Sequence, residues 1–98
     1  MIRLVGLWTK PSDVDGFREA YLSTHFPLLD RLENALDATV STCLEGRYFQ
    51  MTEVSFTNVQ DMEAALDTDL GKHVLTSGEQ LAKKFGVELE MLVVGEPH

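Results

Sequence analysis

Ninety-eight residues, 44% hydrophobic and 24% charged, have the make-up of a single globular domain spanning 1–98. A formal net charge of -8 and a pI of about 4.6 argue against nucleic acid and against an anionic membrane surface, because both attract an excess of Lys and Arg. The opening residues lack the basic-then-apolar order of a signal peptide, and Cys43 has no second cysteine to pair with, so a cytoplasmic location is expected.

Ile2 to Thr9 predicts a strand with apolar residues on both faces, Ile2, Leu4 and Trp8 on one and Val5 and Leu7 on the other. Ser12-Asp13-Val14-Asp15 is a helix-start signal in which Ser12 is the expected cap. Phe17, Ala20, Tyr21, Thr24, His25 and Leu28 follow at spacings of three and four. Pro27 removes a backbone donor, so the helix is expected to end or kink near Phe26 and resume as a short piece through Leu32. Ala38 to Glu45 and Tyr48 to Phe56 read as two strands joined by a tight turn at Gly46-Arg47. A second helix begins at Asn58 or Asp61 and includes Met62 to Leu66. Gly71 is expected to interrupt it, with a further helical piece from Gly78 to Phe85 stopped by Gly86. Val87 to Val94 is the last strand.

The order β-α-β, β-α-β is that of an α+β, ferredoxin-like domain: a four-stranded antiparallel sheet with helices on one face. Helices cover only one side. The apolar residues on the other side predict a homodimer in which two sheets face each other as a dimeric α/β barrel.

Tyr21 and His25 sit four residues apart, one helical turn, just before Pro27. An imidazole near a helix end is drawn towards its charged form by the helix dipole and towards its neutral form by burial. In either case His25 is the candidate general acid/base, with Tyr21 to orient it or bond a ligand oxygen. Glu53 lies mid-strand and needs a partner, either His25 or a base such as Arg3. Among the strand aromatics, Trp8 and Phe49 are candidate liners of an apolar ligand pocket; Tyr48 and Phe56 fit core or interface packing as well. His73 and His98 are weak candidates. No metal-ligand spacing, phosphate loop or nucleophile elbow occurs, so no metal and no cofactor is expected.

Four landmarks give the chain a resemblance to the EthD-like family of dimeric α/β barrels. They are Met1-Ile-Arg-Leu-Val5 running to Lys10-Pro11; Tyr21 with Thr24-His25-Phe26-Pro27-Leu28; Thr52-Glu53-Val54-Ser55-Phe56 leading into Asp61 to Leu66; and Leu92-Val93-Val94-Gly95-Glu96. The resemblance implies a fold shared with small cofactor-free isomerases, lyases and monooxygenases of aromatic, lactone or polyketide-like molecules. It makes His25 the residue for binding or proton transfer, with Tyr21 in the matching helix position. Two departures stand out: a more charged Glu79 to Phe85, and a short Glu45 to Tyr48 link that would alter access to a pocket. Three functions follow as expectations: a cofactor-free small-molecule enzyme, a non-catalytic binding or accessory dimer, and a haem-binding oxidative protein with His25 or His73 as axial ligand.

Overall fold

A computed structural model describes residues 1–96; His98 lies outside them. The elements are β1 (Ile2–Thr9), α1 (Val14–Ala20), a π-helical turn (Tyr21–His25), α2 (Phe26–Leu29), β2 (Asp37–Thr42), β3 (Tyr48–Phe56), α3 (Val59–Leu66), α4 (Asp69–Phe85) and β4 (Leu89–Gly95). The strands make one antiparallel sheet in the order β2-β3-β1-β4. This is the expected α+β ferredoxin-like arrangement.

Strand alternation divides the sheet into two faces. Leu4, Gly6 and Trp8 of β1 stand opposite Val54, Thr52 and Gln50 of β3, and opposite Val93, Met91 and Leu89 of β4. This face meets the helices and holds two apolar clusters. One gathers Leu4, Leu29, Leu32, Val54, Phe56, Met62, Ala65 and Val74. The other gathers Trp8, Phe17, Tyr21, Leu81, Ala82, Phe85 and Val87. The opposite face carries Val5, Leu7, Met51 and Leu92 together with Arg3 and Glu53, which pair at 3.8 Å.

The break at Pro27 takes a different form from a helix end. Phe26 N–H donates back to Tyr21 C=O, five residues earlier, and the chain runs straight on into α2. Carbonyls disturbed by the wider turn are bonded locally: Ser23 Oγ donates to Glu19 C=O at 2.7 Å and Thr24 Oγ1 to Ala20 C=O at 2.6 Å. A hydroxyl bonding four residues back lets a helix bend without leaving acceptors bare.

The resumed helix stops at Leu29 rather than Leu32, and the second strand spans Asp37–Thr42 rather than Ala38 to Glu45. Three further expected boundaries are corrected with a visible cause. Asp13, not Ser12, caps α1, accepting from Gly16 N–H at 3.0 Å, while Ser12 Oγ donates to Phe85 C=O at the end of α4. Gly71 does not interrupt a helix: α3 ends at Leu66, Thr68 caps α4 by accepting from Gly71 N–H, and α4 runs unbroken through Gly71 and Gly78. A Cβ on Gly71 would lie 2.2 Å from Ala65 C=O, so this glycine lets α4 start hard against α3. The last strand begins at Leu89, because Gly86 in the left-handed region (φ 67°) and Val87 form the turn that leaves α4.

Candidate functional site

His25 is buried, with 4% of its surface exposed. The π-helical turn presents it to α4, where its Nδ1 lies 3.1 Å from Ser77 Oγ. Its ring packs edge-on against Trp8 at 5.7 Å between centroids and tilted against Tyr21 at 5.4 Å. Among the described residues no hydrogen bond engages Nε2.

A cavity of about 80 Å³ opens beside this ring. It lies where the two apolar clusters meet: Leu4, Leu29, Val54 and Val74 come from one, Trp8 from the other. Gly6 and Gly78 leave it without side chains at two places on its wall, and Leu75, Glu79, Leu89 and Met91 complete it with Thr52. An empty dry cavity of ~150 Å³ accommodates benzene, so this one takes the end of a molecule rather than a whole substituted ring.

Beneath Trp8, Thr52 Oγ1 accepts from the indole Nε1–H at 3.1 Å and shares a 2.6 Å hydrogen bond with the Tyr21 hydroxyl. Both ring systems are therefore pinned by one hydroxyl on β3. Burial pushes the Tyr21 phenol up to about 12, against the opposing effect of the Thr52 bond; it stays protonated. Burial, helped by the neighbouring His73, lowers the His25 pKa to about 4. The imidazole is neutral at ordinary pH. The helix-dipole attraction expected from the sequence has no purchase here, because the helix continues past His25 to Leu29.

The sequence candidates thus separate. His25 and Trp8 line the cavity, and Tyr21 supports both from behind. Glu53 is not part of this arrangement: it points from the other sheet face and pairs with Arg3. Phe49 is also elsewhere, under the Arg18 guanidinium at 5.0 Å and beside a shallow depression at the β2–β3 turn. His73 is exposed on α4. Ser77, Thr52, Gly6 and Gly78 do not stand out in the sequence. The one signal available there is the pair of unexplained glycines, inside a strand and inside a helix. Among the described residues no group of three or more His, Cys, Asp or Glu could hold a metal ion, and no helix is long and apolar enough to cross a membrane.

No protein-family model matches the chain, and no curated protein matches it. Solved structures do. An ethyl tert-butyl ether D (EthD) family protein of Bacillus halodurans C-125 superposes with a TM-score of 0.89 at 25% identity, covering 99% of each chain. A Deinococcus radiodurans protein of the antibiotic biosynthesis monooxygenase type gives 0.74 at 14% identity, covering 100% of this chain and 94% of that one. SnoaB, a cofactor-independent oxygenase of Streptomyces nogalater, gives 0.74 at 12% identity in a mutant form, covering 99% of this chain and 93% of that one. The fold is therefore that of the EthD-like and antibiotic-monooxygenase-like ferredoxin proteins. The EthD-like resemblance carried by four sequence landmarks extends to the whole chain.

Proposed function

We propose that the chain is a cofactor-free protein that binds the end of a small, uncharged, carbonyl-bearing or cyclic molecule beside His25 and removes a proton from it. The observation that carries this reading is the neutral, buried imidazole whose Nδ1 is held by Ser77 and whose ring lines an apolar cavity. With Nδ1–H donating to Ser77 Oγ, the Nε2 lone pair faces the ligand as a base. A neutral imidazole gives up its one N–H far less readily than an imidazolium, and with that proton held by Ser77 the expected acid/base role narrows to base. Trp8 supplies an apolar wall and Tyr21 orients the imidazole.

One observation favours a second reading, binding without turnover: a pKa of about 4 makes a weak base. Haem ligation by His25 has less support, since a tetrapyrrole far exceeds the cavity beside it. The protein acts as a homodimer in which a second copy covers the open sheet face. Leu92 on that face is 39% exposed, and Leu7, Met51 and Val94 on the same face are only half-buried, an apolar surface that a second sheet would cover.

The test is deuterium incorporation from D2O into methyl ketones, lactones and cyclic 1,3-diketones, followed by NMR. Exchange above buffer that disappears in a folded His25→Gln variant supports proton removal. Ligand-dependent shifts of the His25 ring without exchange support binding alone. Neither effect would leave His25 as a packing residue.

A further inference from the structure

Gly71 and Gly78 sit one above the other on α4, but only one of them is explained by packing. Gly71 admits no Cβ. At Gly78 a Cβ would meet His25 Cε1 at 3.4 Å, Leu89 Cδ2 at 3.5 Å and the Trp8 ring at 3.7 Å, all ordinary contacts. Neither a clash nor a left-handed backbone requires glycine there. Yet glycine in a helix interior is the least favourable residue after proline. Gly6 on β1 presents the same situation from the opposite wall. Its Cβ would lie 3.4 Å from Trp8 Nε1, 3.5 Å from Leu89 Cδ1 and 3.8 Å from Met91 Sδ, and glycine weakens a strand interior. The common consequence of both glycines is room for one more methyl group against Trp8 and Leu89, and at Gly78 also against the buried His25, whose Nε2 has no hydrogen-bond partner among the described residues.

The lining also has a charge character. No Lys or Arg contributes to it, and the one ionisable side chain besides His25 is Glu79, exposed on α4. A carboxylate entering this space would lose its hydration with no cation to replace it, and would pass another carboxylate on the way.

Resting on the functional reading above, we infer that Gly6 and Gly78 are the specificity-determining residues of the cavity: they admit the narrow end of an uncharged ligand, and they set its size. The ligand's wider part stays at the mouth between Leu75, Glu79 and Met91. Substituting either glycine by alanine moves the ceiling down by one methyl group while leaving the fold intact.

The experiment is an NMR titration of the His25 and Trp8 ring signals with acetone, 3-methyl-2-butanone, cyclopentanone and isobutyrate, the last being the charged isostere of the second. Native protein, Gly78→Ala and Gly6→Ala are compared, with thermal unfolding as the check on folding. The expected result is binding of the ketones but not of isobutyrate, and at least a tenfold loss for the two larger ketones in each folded alanine variant, with acetone least affected. Unchanged ketone affinities in both variants, or isobutyrate binding as tightly as 3-methyl-2-butanone, overturns the inference while leaving a ligand site at His25. Native protein that binds none of the ketones overturns the site reading as well.

Discussion

His25 Nδ1 lies 3.1 Å from Ser77 Oγ, joining the π-helical turn to the middle of α4. This contact fixes which imidazole nitrogen is left for a ligand, and it ties the ring to the helix that also carries Gly78. Ser77→Ala should lower stability by about 1 kcal/mol, the typical net value of one hydrogen bond. It should also release the tautomer, read as a mixed pattern of the two ring nitrogens in long-range ¹⁵N correlation spectra, where the native protein shows one form.

Acid should destabilise the fold through the same ring. Its folded pKa is about 4 against an ordinary value of 6.5, so between those values the unfolded chain binds more protons. The stabilisation from a neutral His25 is whole above about pH 6.5, falls as the pH drops towards 4 and levels off below it. The integrated effect is on the order of 3 kcal/mol. Denaturant midpoints for native protein and His25→Gln, compared between pH 7 and pH 4, should show a shallower decline in the variant; parallel curves would contradict it.

Thr52 holds Trp8 and Tyr21 together. Tyr21→Phe leaves Thr52 its bond to the indole, so a loss of about 1 kcal/mol is expected, whereas Thr52→Val strands two buried donors and should cost ~2–4 kcal/mol. Unfolding midpoints rank the two. Tyr21→Phe keeps the ring against His25, so ligand affinity should change little.

Gly78→Ala should raise the unfolding temperature. Removing a helix-interior glycine gains roughly 0.5–1 kcal/mol, which for a domain of this size is a rise of about 2–8 °C. A fall would mean that the space beside His25 cannot take a methyl group.

Leu92→Glu places a charge on the open sheet face opposite Val5. Sedimentation should show it shifting from dimer to monomer while helical content is kept. A native chain that is already monomeric at micromolar concentration would contradict the proposed dimer.

Element order, the β2–β3 hairpin and the lengths of β1 and β3 are legible from apolar alternation and turn residues. The site is half legible. His25 and Tyr21 stand out because helical spacing and Pro27 mark them. Glu53 is misplaced by one position of strand parity: Val54 and Phe56 point to the helices, but Met51 is also apolar, so β3 reads as two-faced. Its neighbour Thr52, on the correct side, has no signature until Trp8 and Tyr21 are brought to it from two other elements. Gly71 reads as a break because a glycine's local cost is visible in sequence, whereas the helix crossing that favours it is not. The low pKa of His25 depends on burial by three elements, which no local pattern specifies.

The sole tryptophan of the chain forms a wall of the cavity, 5.7 Å from the histidine ring. An optical probe therefore stands at the one spot where it is needed. Indole emission will report both arrival of a molecule and the charge of the imidazole beside it, without any label. A ligand search can start from unmodified protein in a fluorimeter, before any reaction is known.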